Sequence, residues 1–219
     1  PWHYRADTLI LESRFETETG AARLIDFMPL RGKASDIVRI VEGLSGHVRM
    51  RSPAELRFEF GRLKALLRRI DEREISALAG PHAVVLRSSQ PLAACDSMID
   101  CEFELKPGES ASFVPTYFPS HLETPDPVDP EKALKETAKF WNDWAGRCSY
   151  EGPYRKQVLR SMVTLKALTY QPTGGTVPAA TSTTYSFDAR VNIDGAATTI
   201  TNEAQVSFRD DVVGQDRTS

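Results

Sequence analysis

The chain has 219 residues, and 27 Lys and Arg stand against 30 Asp and Glu, which gives a formal net charge of −3. Hydrophobic residues make up 41% and charged residues 26%, so wholesale disorder, a collagen-like fibre and a disulfide-dense mini-protein are excluded. The slightly acidic balance argues against nucleic acid or an anionic membrane as a partner, and no stretch reaches the roughly 20 apolar residues of a membrane helix.

Residues 1–118 are predicted to form an antiparallel β-sandwich. A strand-like run covers 8–15, and residues 56–60 alternate apolar and charged side chains, which then face opposite sides of a sheet. Turn residues separate the strands at a spacing typical of stacked antiparallel sheets rather than βαβ units. Residues 63–70 have good helix propensity and a plausible apolar stripe, but they lie among predicted strands. For this segment the sequence therefore leaves both a helix and a strand open. Further strands are predicted at 23–28, 37–44, 47–51, 83–88, 100–105 and 112–118.

A proline-rich segment, residues 119–130, follows the predicted sandwich. Four prolines within twelve residues predict an extended linker with little helix or sheet. Asp129 is placed to cap a helix that has Pro130 at its first position, and the apolar stripe continues to about Arg147. The sequence therefore predicts a helix at the end of this linker.

A second helix is predicted after Gly152 and Pro153. Its apolar residues lie almost all round, which is typical of a helix buried among other helices. We therefore interpret residues 131–182 as the opening of a larger helical domain. Residues 183–219 are rich in Thr, Ala and polar residues and are interpreted as an atypical tail.

The sequence predicts no metal site, no cofactor and no catalytic constellation. The four histidines form no ligand pair, and no Gly-rich phosphate loop is present. Pairs of neighbouring acidic residues fall on predicted turns and strand edges, so we interpret them as solvent-exposed surface residues rather than as catalytic carboxylates. The three cysteines, Cys95, Cys101 and Cys148, fit no common zinc spacing and are interpreted as thiols in a reducing compartment. Together with the absence of a visible signal peptide, they predict a cytoplasmic location.

Six motifs follow one another along the chain. They are DTLILE (7–12), IDFMP (25–29), VRIVEG (38–43), FWNDW (140–144), YEGP (150–153) and LKALTYQPTGG (165–175). In this order and spacing they resemble bacterial family 15 glycoside hydrolases, the group of glucoamylase-like and trehalase-like enzymes. The resemblance covers about residues 7–184, and the order and spacing of the motifs make it specific.

The resemblance implies an N-terminal β-sandwich, a linker with helices, and an (α/α)6 toroid that holds the active site. It also implies hydrolysis of α-glucosidic bonds with inversion, by a Glu acid and a Glu base that activates water. Both glutamates belong to the later part of the toroid, so no catalytic residue is expected in this chain. Thr173, Gly174 and Gly175 match a loop that leads toward the sugar pocket, although a simple helix stop also explains them.

The sequence also departs from the family pattern. Residues 185–192 do not align with the aromatic segment that grips the terminal sugar, and family members have further strands before Trp2. We therefore expect an N-terminal fragment of an α-glucoside hydrolase, inactive alone, that self-associates through exposed helix faces. The alternative is a stand-alone carbohydrate-binding or interaction module, in which the tail adds strands to the sandwich.

Overall fold

The computed structural model describes residues 1–30, 32, 34–59, 61–96, 98–168, 183–193 and 196–206, the last two ranges by their backbone alone. The chain divides into two units, Pro1–Lys166 and Ala167–Ser219. The helices are α1 (Pro130–Ala145) and α2 (Arg155–Ala167). In chain order the strands are β1 (Trp2–Tyr4), β2 (Leu11–Thr17), β3 (Gly20–Phe27), β4 (Ser35–Asp36), β5 (Val38–Gly46), β6 (Val48–Arg51), β7 (Ala54–Glu55), β8 (Arg57–Phe58), β9 (Leu63–Lys64), β10 (Leu66–Arg69), β11 (Glu74–Ala79), β12 (His82–Ser88), β13 (Ala93–Cys95), β14 (Met98–Asp100), β15 (Glu102–Leu105), β16 (Ser110–Pro119), β17 (Thr183–Ile193) and β18 (Ala196–Val206).

One large antiparallel sheet forms the first layer, with the strand order β1-β2-β3-β5-β16-β12-β11-β10 and β4 beside β16. Smaller sheets, β13-β14-β7 and β6-β15, form the second layer. Because successive side chains of a strand point to opposite faces, central strands of the large sheet such as β3 and β5 contribute to two cores. Leu24 and Val41 are partners on one face, and Ile25 and Ile40 are partners on the other.

The first core lies between the large sheet and the smaller sheets. Val41 and Phe113 of the large sheet pack with Phe103 and Leu105 of β15, and the rings of Phe103 and Phe113 lie 5.6 Å apart. Ile99 of β14 is almost fully buried in the same cluster. The predicted fold class, an antiparallel β-sandwich followed by helices, is confirmed.

The second core lies between the opposite face of the large sheet and α1. Ile25 and Ile40 pack there with Ala133 and Leu134. Asp129 caps the helix as the sequence predicts, because its carboxylate accepts hydrogen bonds from the backbone N–H groups of Glu131 and Lys132. Helix α1 therefore covers the sheet face that the sandwich leaves open.

Helix α2 packs against the end of α1. Leu159 lies in a small cluster with Ala145 and Cys148, and Val163 is the other buried residue of α2. The second helix is confirmed, and the first unit buries one stripe of it. Its burial among further helices of a larger domain stays a prediction. Within the described part of the chain, no helix has both the length and the apolar character that spanning a membrane requires.

Two local predictions need correction or completion. The single strand predicted at 56–60 is wrong: only Arg57 and Phe58 form β8, because Glu59 turns the chain with a φ of 50°. The segment 63–70 forms strands β9 and β10 rather than a helix, because Leu66–Arg69 pair with Ile75–Leu78 of β11. Pairing with β11 therefore makes β10 a strand, although the helix propensity of the segment had left both structures open.

In the second unit, strands β17 and β18 pair with each other as an antiparallel hairpin, with Thr183 opposite Val206 and Ile193 opposite Ala196. The division into segments 1–118, 119–130, 131–182 and 183–219 stays a prediction.

Candidate functional site

The residues that the sequence singles out for sugar binding, Thr173, Gly174 and Gly175, lie outside the described residues. Among the residues that the structure does describe, no group of three or more His, Cys, Asp and Glu side chains is placed to hold a metal ion. The candidate site is therefore built from the loop Arg5–Ile10, which contains the start of the first family motif, and from α2, which faces it.

The loop Arg5–Ile10 has a tight, internally bonded conformation. Thr8 is fully buried, and its hydroxyl donates to the Arg5 carbonyl at 2.5 Å while accepting from the Ile10 N–H at 3.1 Å. Such side-chain bonds to nearby backbone groups compete with strand pairing. They explain why β2 begins at Leu11 rather than at the predicted residue 8.

An ion cluster around Glu12 fixes this loop to the sheet. The Glu12 carboxylate is almost fully buried, and it lies 2.5 Å from Arg5 Nε and 3.7 Å from Arg23 Nη1. Arg23 also donates to Glu42 at 2.6 Å, and this hydrogen bond is the main reason why the pKa of Arg23 is raised. Because cations face both of its oxygens, Glu12 serves as an anchor rather than as a free acid or base.

Helix α2 meets the loop through Arg160. Its Nη1 donates to the carbonyl of Thr8 at 3.0 Å, and its guanidinium lies 4.3 Å from the centre of the Tyr4 ring. At the start of the same helix, Arg155 donates to the carbonyls of Cys148 and Tyr150. Arg160 thus holds α2 against the edge of the large sheet, and Arg155 fixes the connection between α1 and α2.

A cleft of about 340 Å³ lies between the loop and α2. A more open hollow of about 620 Å³ adjoins it, where Pro153, Arg155 and Gln157 are exposed to the same space. Among the described residues that line both spaces, Asp7 is the acidic one, whereas an inverting glycosidase uses two carboxylates. The lining residues of the cleft are Ala6, Asp7, Lys156, Leu159, Arg160 and Val163.

Sequence reasoning found part of this arrangement and missed the rest. The motif at 7–12 contains Thr8 and Glu12, but the sequence predicted no role for either; in the structure Thr8 fixes the loop and Glu12 anchors it through ion pairs. Arg160 carried no signal, because its partner Thr8 lies 152 positions away and Arg160 belongs to none of the motifs.

Comparison with curated protein sequences finds two trehalases that are similar to this chain. The chain is 29% identical to the trehalase of Thermoplasma volcanium over 186 residues, which are 82% of this chain and 30% of that protein. It is also 29% identical to the trehalase of Thermoplasma acidophilum, over 82% of this chain and 32% of that protein. The chain thus spans about a third of the length of these curated relatives.

A solved structure assigned as a kojibiose phosphorylase from the human microbiome aligns with 74% of this chain and 23% of its own, with a TM-score of 0.34 and 9% identity. No family model matches the chain. The resemblance to trehalase-like glycoside hydrolases that the motifs predict is confirmed by the two trehalases over most of the chain.

Proposed function

We propose that this chain is the N-terminal supporting part of an inverting α-glucoside hydrolase, trehalase-like or glucoamylase-like. It comprises the β-sandwich and the first helices of an (α/α)6 toroid, and the two catalytic glutamates belong to the rest of the enzyme. The observation that carries this proposal is the match to two trehalases over 82% of the chain but only 30% and 32% of their lengths.

The geometry of the described residues supports a supporting role rather than catalysis. Glu12, the buried carboxylate of the loop region, is paired with Arg5 and Arg23. Asp7 is the acidic residue that lines the cleft, and it has no second carboxylate beside it there. Arg160 ties the sheet to α2, which is what a scaffold for a helical domain requires.

Further properties belong to the same proposal. In the whole enzyme the substrate is an α-glucoside, and Thr173, Gly174 and Gly175 lie in the loop that approaches its pocket. The free thiols of Cys95, Cys101 and Cys148 support a cytoplasmic location. Apolar side chains left exposed on α2 support self-association of the isolated chain.

The test of the hydrolase assignment is glucose release from trehalose and from maltooligosaccharides. We expect none from the purified chain, with circular dichroism showing that it is folded, while the trehalase of T. volcanium serves as the active control. Release by the chain itself would show that it contains catalytic carboxylates. Thermal stabilisation by an oligosaccharide, without hydrolysis, would instead favour the carbohydrate-binding module.

A chimera tests the supporting role directly. Residues 7–166 of this chain replace the matched region of the T. volcanium trehalase, and a trehalase that lacks the region is the control. We expect the chimera to hydrolyse trehalose and the deletion variant to be inactive. Equal activity of the two proteins would contradict the supporting role.

A further inference from the structure

A hydroxyl, an imidazole and a carboxylate meet at one end of the sandwich, on three different elements. His82 begins β12, Tyr117 lies near the end of β16, and Glu59 lies in the turn after β8. In the β12–β16 register Tyr117 is opposite Val84, so Tyr117 and His82 are diagonal neighbours on the same face of the large sheet. The turn then brings Glu59 over that face.

Both ring nitrogens of His82 are engaged. Nε2 lies 2.8 Å from Glu59 Oε1, and Nδ1 lies 2.8 Å from the Tyr117 hydroxyl oxygen. Because an ionised carboxylate can only accept, we assign the proton of the neutral ring to Nε2. Nδ1 then carries the lone pair, and the Tyr117 hydroxyl donates to it. The ring of Phe58 is stacked on the imidazole at 6.0 Å and helps to fix its orientation.

This order of groups is that of an activated nucleophile, in which a base takes the hydroxyl proton and a third group orients the base. We propose that Tyr117 is a covalent modification site for acyl-transfer electrophiles, with His82 as its base and Glu59 as a positioning residue. The site is independent of the proposed glucosidase activity. Tyr117 has a relative exposure of 39%, so a small acyl donor can reach it.

The step is an ordinary acyl transfer, written here for N-acetylimidazole. The Tyr117 oxygen attacks the acetyl carbon, and its proton passes to His82 Nδ1. The bond between the acetyl carbon and the leaving imidazole nitrogen breaks, and the leaving imidazole takes the proton from His82. The products are O-acetyl-Tyr117 and imidazole, and His82 returns to its original state.

The chain contains its own reference tyrosines for the test. Tyr4, Tyr150 and Tyr154 have exposures of 38%, 38% and 36%, close to that of Tyr117. Tyr4 is a stringent reference, because the Arg160 guanidinium lies over its ring. The purified chain is treated with N-acetylimidazole, and the initial rate of acetylation at each tyrosine is measured by peptide mass spectrometry.

We expect Tyr117 to be acetylated roughly 10-fold or more faster than the three references, since a positioned base contributes about 10²–10⁴-fold in favourable sites. His82→Gln should bring its rate down to theirs, Glu59→Gln should lower it in part, and Glu59→Asp should restore some of that loss. Each variant is first compared with the parent chain by circular dichroism. The proposal is overturned if Tyr117 reacts no faster than the references in the unmodified chain, a comparison that needs no variant, or if folded His82→Gln protein keeps the fast rate.

Discussion

The two helices of the first unit differ in how much of their apolar surface the rest of that unit covers. Helix α1 buries Leu134 and Trp141 on one stripe, and Leu134 packs on the open face of the large sheet. Helix α2 buries only Leu159 and Val163, while Leu165 on the same helix has a relative exposure of 40%. Apolar content alone thus does not determine burial: the sheet supplies a matching face for α1, and α2 is held mainly at one edge.

This difference fits the proposed function. A scaffold must present a surface on which the next part of the enzyme can pack, and α2 exposes apolar side chains in the described part of the chain. In our proposal further toroid helices cover that surface. The variants below test whether α1 belongs to the stable body of the first unit and whether α2 depends on its contact at the loop.

The largest effect is expected where α1 packs on the sheet. Leu134→Ala should lower the free energy of unfolding by about 2–4 kcal/mol, because it leaves a cavity against Ile25 and its neighbours. The matched change Leu165→Ala on α2 should alter it by only about 0.5 kcal/mol, because that side chain is exposed. Urea unfolding measures both values.

Equal losses from these two changes would contradict the comparison, because they would mean that α2 is buried as fully as α1. The same α2 surface can be tested for association. Leu165→Glu should shift any oligomer toward monomer in sedimentation velocity, and Leu134→Ala should leave the association unchanged in the folded protein.

A smaller effect is expected at the contact between α2 and the loop. Arg160→Met keeps the aliphatic stem but removes the hydrogen bond to Thr8 and the contact with the Tyr4 ring. We expect a loss of about 1–2 kcal/mol, because a charged hydrogen bond is worth about 1.5–3 kcal/mol and this one is partly exposed. Lys156→Met, on the same helix and the same cleft, is the control and should be nearly neutral. If both variants behave alike in urea unfolding, Arg160 does not anchor α2.

A secondary-structure element can be predicted from the sequence when the interactions that determine it lie between residues close together in the chain. The start of α1 is predictable, because Asp129 and Pro130 act on their immediate neighbours. Residues 56–59 keep the predicted alternation of burial but do not form one strand, because the turn at Glu59 has no strong local signal. Residues 63–70 become strands through pairing with β11, which propensity cannot show.

The candidate sites were harder to predict, because their contacts join distant residues. The Arg160–Thr8 contact spans 152 positions, and the His82–Tyr117 contact spans 35 positions. Each depends on the packing of elements whose partners are fixed only in the folded chain. The family motifs include Thr8 without predicting its role, and they do not include Arg160.

The smallest effect is expected from removing an ion pair in the second layer of the sandwich, which leaves both helices untouched. Arg51 donates to Asp100 at 2.7 Å, and this hydrogen bond lowers the pKa of Asp100 below its ordinary value. The pair therefore stabilises the fold above the unfolded carboxyl pKa of about 3.9, and the contribution is lost as the pH falls through the lower folded value.

Asp100→Asn should remove this pH dependence, so the stability difference between the parent chain and the variant should shrink as the pH is lowered from 6 to 2.5. Unfolding in urea across that range measures the difference, and high salt should reduce it, because the pair lies at the surface. Glu102→Gln is the control, because Glu102 lies 3.9 Å from Arg51 and should contribute less. A difference that stays constant with pH would show that the pair does not stabilise the sandwich. Combining Asp100→Asn with Arg160→Met should give additive losses, since the ion pair belongs to the second layer and Arg160 acts at the edge of the first.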